Sequence, residues 1–143
     1  MNEINDLLMG KNKDVVTVTP ETALVDAARL LADHEIGVLV VLDGGGAVAG
    51  MLSERDVASA LGRFAAGAAE KTVGETMTSP VISCTPLDGF VDVLVLMEDH
   101  HVRHLPVIDD GRLVGILSIR DLQTAWLDAL DRECEQLRDH EAA

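Results

Sequence analysis

Aromatic and basic side chains are both scarce in this 143-residue chain. It has one tryptophan, two phenylalanines and no tyrosine, and 11 lysines and arginines stand against 25 aspartates and glutamates, for a formal net charge of −14. Contacts to nucleic-acid phosphates require many Lys and Arg side chains, and base stacking requires aromatic platforms. We therefore expect no nucleic-acid partner. A small anionic ligand would have to be held by a few local donors and by helix N-termini.

Long apolar runs and cysteines are also lacking. The longest apolar stretch, residues 36–42, is far shorter than the roughly 20 residues that cross a bilayer. The first residues lack the charged and apolar regions of a secretory signal. Cys84 and Cys134 are the only cysteines, and neither belongs to a CxxC motif. We expect a cytoplasmic chain without a membrane segment, in which both thiols stay reduced.

A duplicated pattern occupies most of the chain. Residues 16–20 (VTVTP) return as residues 82–86 (ISCTP), and residues 50–56 (GMLSERD) return as residues 115–121 (GILSIRD). A long repeat that occurs only twice indicates one duplicated supersecondary unit rather than a solenoid. The two copies should pack about a pseudo-twofold axis and should carry two similar sites.

Hydrophobic periodicity predicts strand, helix, strand, strand and helix in each copy. Leu24, Ala27 and Leu31 have the spacing of one buried helical face, with Thr22 as the N-cap. The apolar run 37–42 is typical of a strand covered on both faces. We predict an α/β (α+β) protein made of two β-α-β-β-α repeats. The expected boundaries are residues 14–63 for repeat one, 64–79 for the linker, 80–130 for repeat two, and 131–143 for the end of the last helix and the tail.

These features resemble the CBS domain, the module named after cystathionine β-synthase, in a tandem pair also called a Bateman module. The resemblance rests on the Thr-Pro after each first strand, on residues 102–107 (VRHLPV), and on the string Gly-φ-φ-Ser-x-Arg-Asp in both copies, where φ is apolar. It covers roughly residues 14–130. The chain looks like the small stand-alone bacterial CBS-pair proteins.

The resemblance implies a regulatory module that binds adenosine-containing ligands: AMP, ADP, ATP, NAD(H) or S-adenosylmethionine. It implies no obligatory cofactor, and an effector protein that the sequence does not identify. In the family, the Asp that ends the string binds the ribose hydroxyls, and the Ser three residues before it meets phosphate. Carried over, Asp56 and Asp121 would hold ribose, and Ser53 and Ser118 would meet phosphate. The residues expected around the adenine are Val16, Val18, Val38, Ile82, Leu105 and Pro106.

The same residues have a purely structural interpretation. A serine at a helix start can bind an anion with its hydroxyl and the free N–H groups, and Arg55 and Arg120 add guanidinium groups that suit phosphate. A Ser-x-x-Asp sequence before an apolar run is, however, also a helix cap. The recurrence of Arg before Asp in both copies favours the ligand site. The two roles are compatible, because an empty site can cap itself.

Copy two carries more positive charge near the expected phosphate position. Arg103 and His104 stand where copy one has Gly37 and Val38. The alternative for this pair is a solvated arginine and a packed histidine. The added donors predict that the tighter site belongs to copy two.

No catalytic or metal-binding set is recognisable in the sequence. We find no catalytic pair of carboxylates, no nucleophile with its base and no Walker-type phosphate loop, so we expect no enzyme activity. His100, His101 and His104 form an HHxxH-like cluster, but a helix end and a strand start separate them and no cysteine is nearby. We therefore predict no metal site.

Two helices have more apolar surface than one core can cover. In the first helix of copy two, Val91 and Val95 lie outside the face that carries Phe90, Val93, Leu94 and Met97. The long last helix adds Trp126, Leu127 and Leu130. A helix without a polar face needs a second partner, so we predict a twofold homodimer through these helices, with a structural scaffold of degenerate sites as the alternative function.

Overall fold

The computed structural model describes residues 3–9 and 15–142. The helices are α1 (Ile4–Met9), α2 (Leu24–His34), α3 (Glu54–Phe64), a 3₁₀ helix (Ala65–Glu70), α4 (Val73–Thr76), α5 (Phe90–Asp99) and α6 (Ile119–Ala142). The strands are β1 (Thr17–Val18), β2 (Val38–Leu42), β3 (Val48–Ser53), β4 (His104–Asp109) and β5 (Arg112–Ser118).

Each half of the chain builds a small sheet. In the first half β1 runs parallel to β2, and β2 pairs antiparallel with β3. In the second half β4 pairs antiparallel with β5, and the first strand is reduced to one parallel bridge between Cys84 and Val107. Both hairpins change register at the equivalent point, after Val41 and after Val107. The predicted α/β repeat of strand, helix, strand, strand and helix is confirmed.

Each half also has its own hydrophobic core. The predicted face of α2, formed by Leu24, Ala27 and Leu31, is buried against strand residues of the first half. The second core repeats this arrangement with the residues Phe90, Val93, Met97, Leu105, Val107, Leu117 and Leu122. Apolar burial of this kind is the main stabilising contribution to each half.

The start of α2 differs from the prediction. The N-cap is Ala23, which has no side chain to cap the helix, and Thr22 is not the cap. The Thr22 hydroxyl instead accepts a hydrogen bond from the backbone N–H of Thr19, 3.2 Å away. The first amide of the helix, that of Leu24, donates to the carbonyl of Lys71 at 2.9 Å. The linker therefore supplies an acceptor for the first amide of α2, one of the four that have no partner within the helix.

The two halves exchange their leading helices. The N–H of Val73 in α4 donates to the carbonyl of Thr22 in the first half, at 2.8 Å. The N–H of Ile4 in α1 donates to the carbonyl of Asp88 in the second half, at 2.9 Å. Val73 and Ile4 are completely buried in the cores of the halves that receive them. Thus α1 precedes the first half but completes the core of the second, and α4 precedes the second half but completes the core of the first.

Two glycines make room for these exchanged segments. A Cβ atom on Gly50 would lie 2.6 Å from Sδ of Met77 and 2.9 Å from the backbone oxygen of Thr78. A Cβ atom on Gly115 would lie 2.7 Å from Cδ2 of Leu8. The glycine that begins each GφφSxRD string therefore lies where the segment from the other half approaches closely, against backbone at Gly50 and against the end of a side chain at Gly115.

Candidate functional site

A capping box begins α3. The N–H and the hydroxyl of Ser53 donate to Oδ2 of Asp56 at 2.9 and 3.1 Å, and the N–H of Asp56 donates back to the Ser53 hydroxyl at 3.2 Å. The second copy repeats the arrangement at the start of α6: the N–H of Ser118 donates to Asp121 at 2.9 Å, and the N–H of Asp121 donates to the Ser118 hydroxyl at 3.1 Å. The structural interpretation of both Ser-x-x-Asp sequences is therefore correct.

The caps leave one amide of each helix start without an acceptor in the described part of the chain. The first helical N–H groups, those of Glu54 and Ile119, donate to the carbonyls of Gly37 and Arg103 at 3.0 and 2.8 Å. The third helical N–H group, that of Asp56 or Asp121, donates to the serine hydroxyl. The amide between them belongs to Arg55 in one copy and to the equivalent arginine in the other. An anion that binds here would meet this amide together with the guanidinium group of the same residue.

Both helix starts line a single cleft between the halves. Its volume is about 810 Å³, within the roughly 300–1,000 Å³ that small-molecule sites occupy. The lining residues are Gly37, Val38, Met51, Ser53, Glu54, Arg55, Asp56, Thr78, Pro80, Val81, Ile82, His101, Val102, Arg103, His104, Leu105, Ser118, Ile119 and Arg120.

The cleft is locally basic in a strongly acidic chain. Three arginines line it, namely Arg55, Arg103 and Arg120, against the two carboxylates of Glu54 and Asp56. The three arginines are exposed, and none of their guanidinium groups forms an ion pair within residues 3–9 and 15–142. Exposed and unpaired guanidinium groups can turn toward a phosphate or a carboxylate in bidentate geometry.

The rest of the wall is apolar. It is built from the two hairpins, from the start of α6 and from the segment that connects the halves, with the residues Val38, Met51, Pro80, Val81, Ile82, Val102, Leu105 and Ile119. A flat hydrophobic ring system can be enclosed by such side chains while its polar substituents reach the two helix starts.

Most of the sequence-predicted site residues lie on this cleft. Those that line it are Ser53, Arg55, Asp56, Ser118, Arg120, Arg103, His104, Val38, Ile82 and Leu105. Four others do not line it. Val18 is buried in the first core, Val16 packs against that core, Pro106 is buried inside β4 opposite Ile116, and Asp121 lies half-buried behind Ser118.

The sequence interpretation did not include Thr78, Glu54 or His101 among the site residues. Thr78 comes from the connecting segment, which crosses to β3 and forms a backbone bridge with Met51. Its hydroxyl donates to Oδ1 of Asp56 at 3.1 Å. The side chains of Glu54 and His104 both lie next to Gly37, since a Cβ atom built there would be 3.8 Å from Oε2 of Glu54 and 3.9 Å from Cε1 of His104. No local sequence signal marks these contacts, because they depend on how the halves pack.

Residues 3–9 and 15–142 contain neither a metal-binding cluster nor a membrane-spanning helix. No group of three or more His, Cys, Asp or Glu side chains there is arranged to hold a metal ion. No helix there is both long and apolar enough to cross a membrane.

The two cysteines are both free and differ in environment. Cys84 is buried and Cys134 is exposed. Burial raises the pKa of the Cys84 thiol to about 12, and the negative charge of Asp88 adds to the increase. This thiol therefore stays protonated and unreactive at neutral pH.

The family follows from a comparison of the whole chain with known proteins. The family model of the CBS domain matches residues 4–63 and again residues 73–128. The chain is a tandem pair of CBS domains. Both matched segments of the CBS pair include a leading helix, α1 or α4.

Relatives of this CBS pair are found among bacterial proteins. It is 34% identical over 123 residues to the CBS domain-containing protein YhcV of Bacillus subtilis, which covers 85% of this chain and 84% of that protein. A crystal structure of a CBS-domain containing protein from Agrobacterium tumefaciens superposes with a TM-score of 0.82 at 37% identity, covering 87% of this chain and 92% of that one.

Two similar structures contain adenosine compounds. The CBS domain pair of protein MJ0100, in complex with 5′-methylthioadenosine and S-adenosyl-L-methionine, has a TM-score of 0.77 at 27% identity, with 89% of this chain and 97% of that one covered. CBSX2 in complex with AMP has a TM-score of 0.77 at 26% identity, with 90% and 98% covered. CBS pairs similar to this one thus bind adenosine-containing ligands.

Proposed function

We propose that this CBS pair is a sensor that binds an adenine nucleotide, AMP, ADP or ATP, or NAD(H), in the cleft between its repeats. The observation that carries the proposal is the composition of that cleft. It combines two helix starts, three arginines and an apolar wall in one space of about 810 Å³. A nucleotide needs the same combination: an apolar slot for the base, acceptors for the ribose and cationic donors for phosphate.

The predicted roles of the residues follow from their chemistry. Val38, Ile82 and Leu105 would enclose the adenine, and Asp56 would accept hydrogen bonds from ribose hydroxyls where it lines the cleft. Asp121 would take the same role in the second copy by turning from its cap on Ser118 toward the cleft. The phosphate would meet Ser53 or Ser118 with the neighbouring amide, and Arg55, Arg103, His104 and Arg120 would supply positive charge. Val16, Val18 and Pro106 lie behind the wall and would act on the ligand only through packing. The adenosine compounds bound by similar structures support the choice of an adenosine-containing ligand.

Ligand binding would act on a second protein. The cleft is lined from both repeats and from the connecting segment, so a bound nucleotide changes the free energy of the arrangement of the halves. A ligand shifts such an equilibrium only as far as its affinities for the two arrangements differ. We propose that an effector protein in the cytoplasm recognises the ligand-bound arrangement, with no obligatory cofactor and no reaction at the cleft.

S-adenosylmethionine is the second candidate ligand. It is favoured by the complex of the MJ0100 CBS pair with this compound. Its sulfonium is positively charged, whereas the cleft presents Arg55, Arg103 and Arg120. The local charge therefore favours phosphate-bearing ligands over S-adenosylmethionine in this chain.

We also propose that the CBS pair forms a twofold homodimer through α5 and α6. Val91 and Val95 on α5 are 55% and 49% exposed, and Trp126 on α6 is 43% exposed. α5 packs against α6, so these side chains belong to neighbouring helices of the second repeat. Covering them in a symmetric interface removes apolar surface from water.

A thermal-shift panel tests the ligand proposal. AMP, ADP, ATP, NAD, NADH and S-adenosylmethionine are added at millimolar concentration, with GMP as the control for the base. A ligand present at 100 times its dissociation constant stabilises the fold by about 2.7 kcal/mol, which for a chain of this size raises Tm by roughly 5–10 °C. Absence of a shift with every adenosine compound would instead support the scaffold with degenerate sites.

A further inference from the structure

The last helix extends well beyond the body of the second repeat. Its core-facing residues are Ile119, Leu122, Ala125 and Ala129, which are buried or half-buried. From Leu130 to Glu141 every residue is exposed. At about 1.5 Å per residue, this free part of α6 is roughly 18 Å long. An isolated helix of that length is only marginally stable in water.

An apolar stripe nevertheless runs along this part of α6, beginning one turn before it. Leu127, Leu130, Cys134 and Leu137 follow one another at spacings of three, four and three residues, which is the a and d pattern of a heptad. Leu127, Leu130 and Leu137 are 61%, 42% and 64% exposed, and Cys134 is exposed too. We call these four residues the α6 seam. It lies roughly 120° around the helix from the core-facing residues, so the repeat does not cover it.

Charged residues flank the seam in a complementary way. In the heptad that places Leu127 and Cys134 at a, Glu133 occupies a g position and Arg138 the following e position. In a parallel two-stranded coiled coil, a g side chain lies beside the e side chain of the next heptad on the partner helix. Glu133 of each copy would therefore face Arg138 of the other. Leucine occupies both d positions, Leu130 and Leu137, as it does in two-stranded parallel coiled coils.

We propose that the α6 seam pairs in parallel with the α6 seam of a second copy of this chain. The proposal rests on the homodimer proposed above and adds a second contact to it. Two α6 seams that pair in parallel bring both globular bodies to the same end of the paired helices. Because α5 packs against α6, the exposed faces of α5 in the two copies then lie at that end as well. Antiparallel seams would place the bodies at opposite ends and would keep the two α5 faces apart.

Parallel pairing places Cys134 opposite Cys134 of the other copy, and this gives a direct test. Disulfide formation requires Cα atoms within about 7 Å. The full chain is treated with diamide, which takes up the two electrons and two protons released as two thiols form one disulfide. The matched control is Cys134→Ser/Arg132→Cys, which moves the thiol to an exposed f position away from the seam. The buried Cys84 does not compete.

We expect the wild-type chain to form a covalent dimer at least about tenfold faster than the control. The variant Glu133→Arg should slow the reaction, because Arg then faces Arg138, and Glu133→Arg/Arg138→Glu should restore it. Light scattering before oxidation separates the two proposals. A dimer mass without faster cross-linking overturns the seam and leaves the α5 dimer standing, whereas a monomer mass at micromolar concentration overturns both.

Discussion

The hydroxyl of Thr78 donates a hydrogen bond of 3.1 Å to Oδ1 of Asp56. Thr78 belongs to the segment that connects the repeats, and Asp56 closes the capping box at the start of α3. The connecting segment is thus bonded to the carboxylate that the family resemblance assigns to ribose. Under the proposed function, a ligand that binds Asp56 would therefore meet a carboxylate that is already hydrogen-bonded to the segment between the repeats.

Removal of this contact should lower stability modestly. Hydrogen bonds to charged groups are worth about 1.5–3 kcal/mol, and Thr78 is exposed. We expect Thr78→Val to lower the free energy of unfolding by about 1 kcal/mol in urea denaturation. Ser79→Ala is the control, because it removes a neutral bond of 3.0 Å from the Ser79 hydroxyl to the carbonyl of Ala49. An equal loss in both variants would show that the charge of Asp56 contributes nothing.

Substitution by alanine should change stability unequally at Gly50 and Gly115, the glycines that begin the two GφφSxRD strings. At Gly50 the new methyl group meets the backbone oxygen of Thr78 at 2.9 Å, whereas at Gly115 it meets only the end of the Leu8 side chain. Overpacking against fixed atoms costs about 1–3 kcal/mol, and loss of a glycine recovers about 0.4–1 kcal/mol from the unfolded chain. We expect Gly50→Ala to destabilise by about 2 kcal/mol and Gly115→Ala to be nearly neutral. Urea midpoints in the reverse order would contradict the crossover packing.

The two thiols should react at very different rates. Cys84 is 2% exposed, and its pKa is raised to about 12 by burial and by Asp88, so Ellman's reagent should titrate one thiol per native chain and two in denaturant. Cys134→Ser should leave no fast thiol. Because the folded pKa exceeds the unfolded value of about 9, the contribution of Cys84 to stability is complete below pH 9 and is lost as the pH rises toward 12. Two fast thiols in the native chain would show that the second core is open.

The sequence predicted the fold of each copy because local patterns determine it. The buried face of α2 and the hairpins follow from apolar periodicity and from turn residues. The exchange of α1 and α4 was not predicted, because a short helix such as Val73–Thr76 fits either core equally well by pattern. The same limit applies to the cleft. GφφSxRD marked the helix starts, whereas Thr78 and Glu54 join the site only through the packing of one half on the other.

The two helix starts that line the cleft should contribute unequally to ligand affinity. Arg103, His104 and Arg120 stand near Ser118, whereas the first copy has Arg55 with Ser53. In an acidic chain local donors decide where an anion binds. We expect Asp121→Ala to weaken the tighter site at least about tenfold, and Asp56→Ala to weaken it less. Glu75→Ala is the control, because Glu75 closes the capping box of α4 as the two aspartates close theirs, while no residue of α4 lines the cleft. If calorimetric titration shows that Asp56→Ala removes the tighter binding phase and Asp121→Ala leaves it intact, the predicted order of affinities is wrong.

The central claim is that the cleft between the repeats binds adenosine through the two aspartates. Calorimetric titration of AMP into the wild-type CBS pair, into Asp56→Ala/Asp121→Ala and into the Glu75→Ala control tests it most directly. We predict saturable binding to the wild type and to the control, affinity at least about tenfold lower for the double variant, and no comparable heat with GMP. Absence of saturable AMP binding up to millimolar concentration, or equal affinity of the wild type and the double variant, would contradict it.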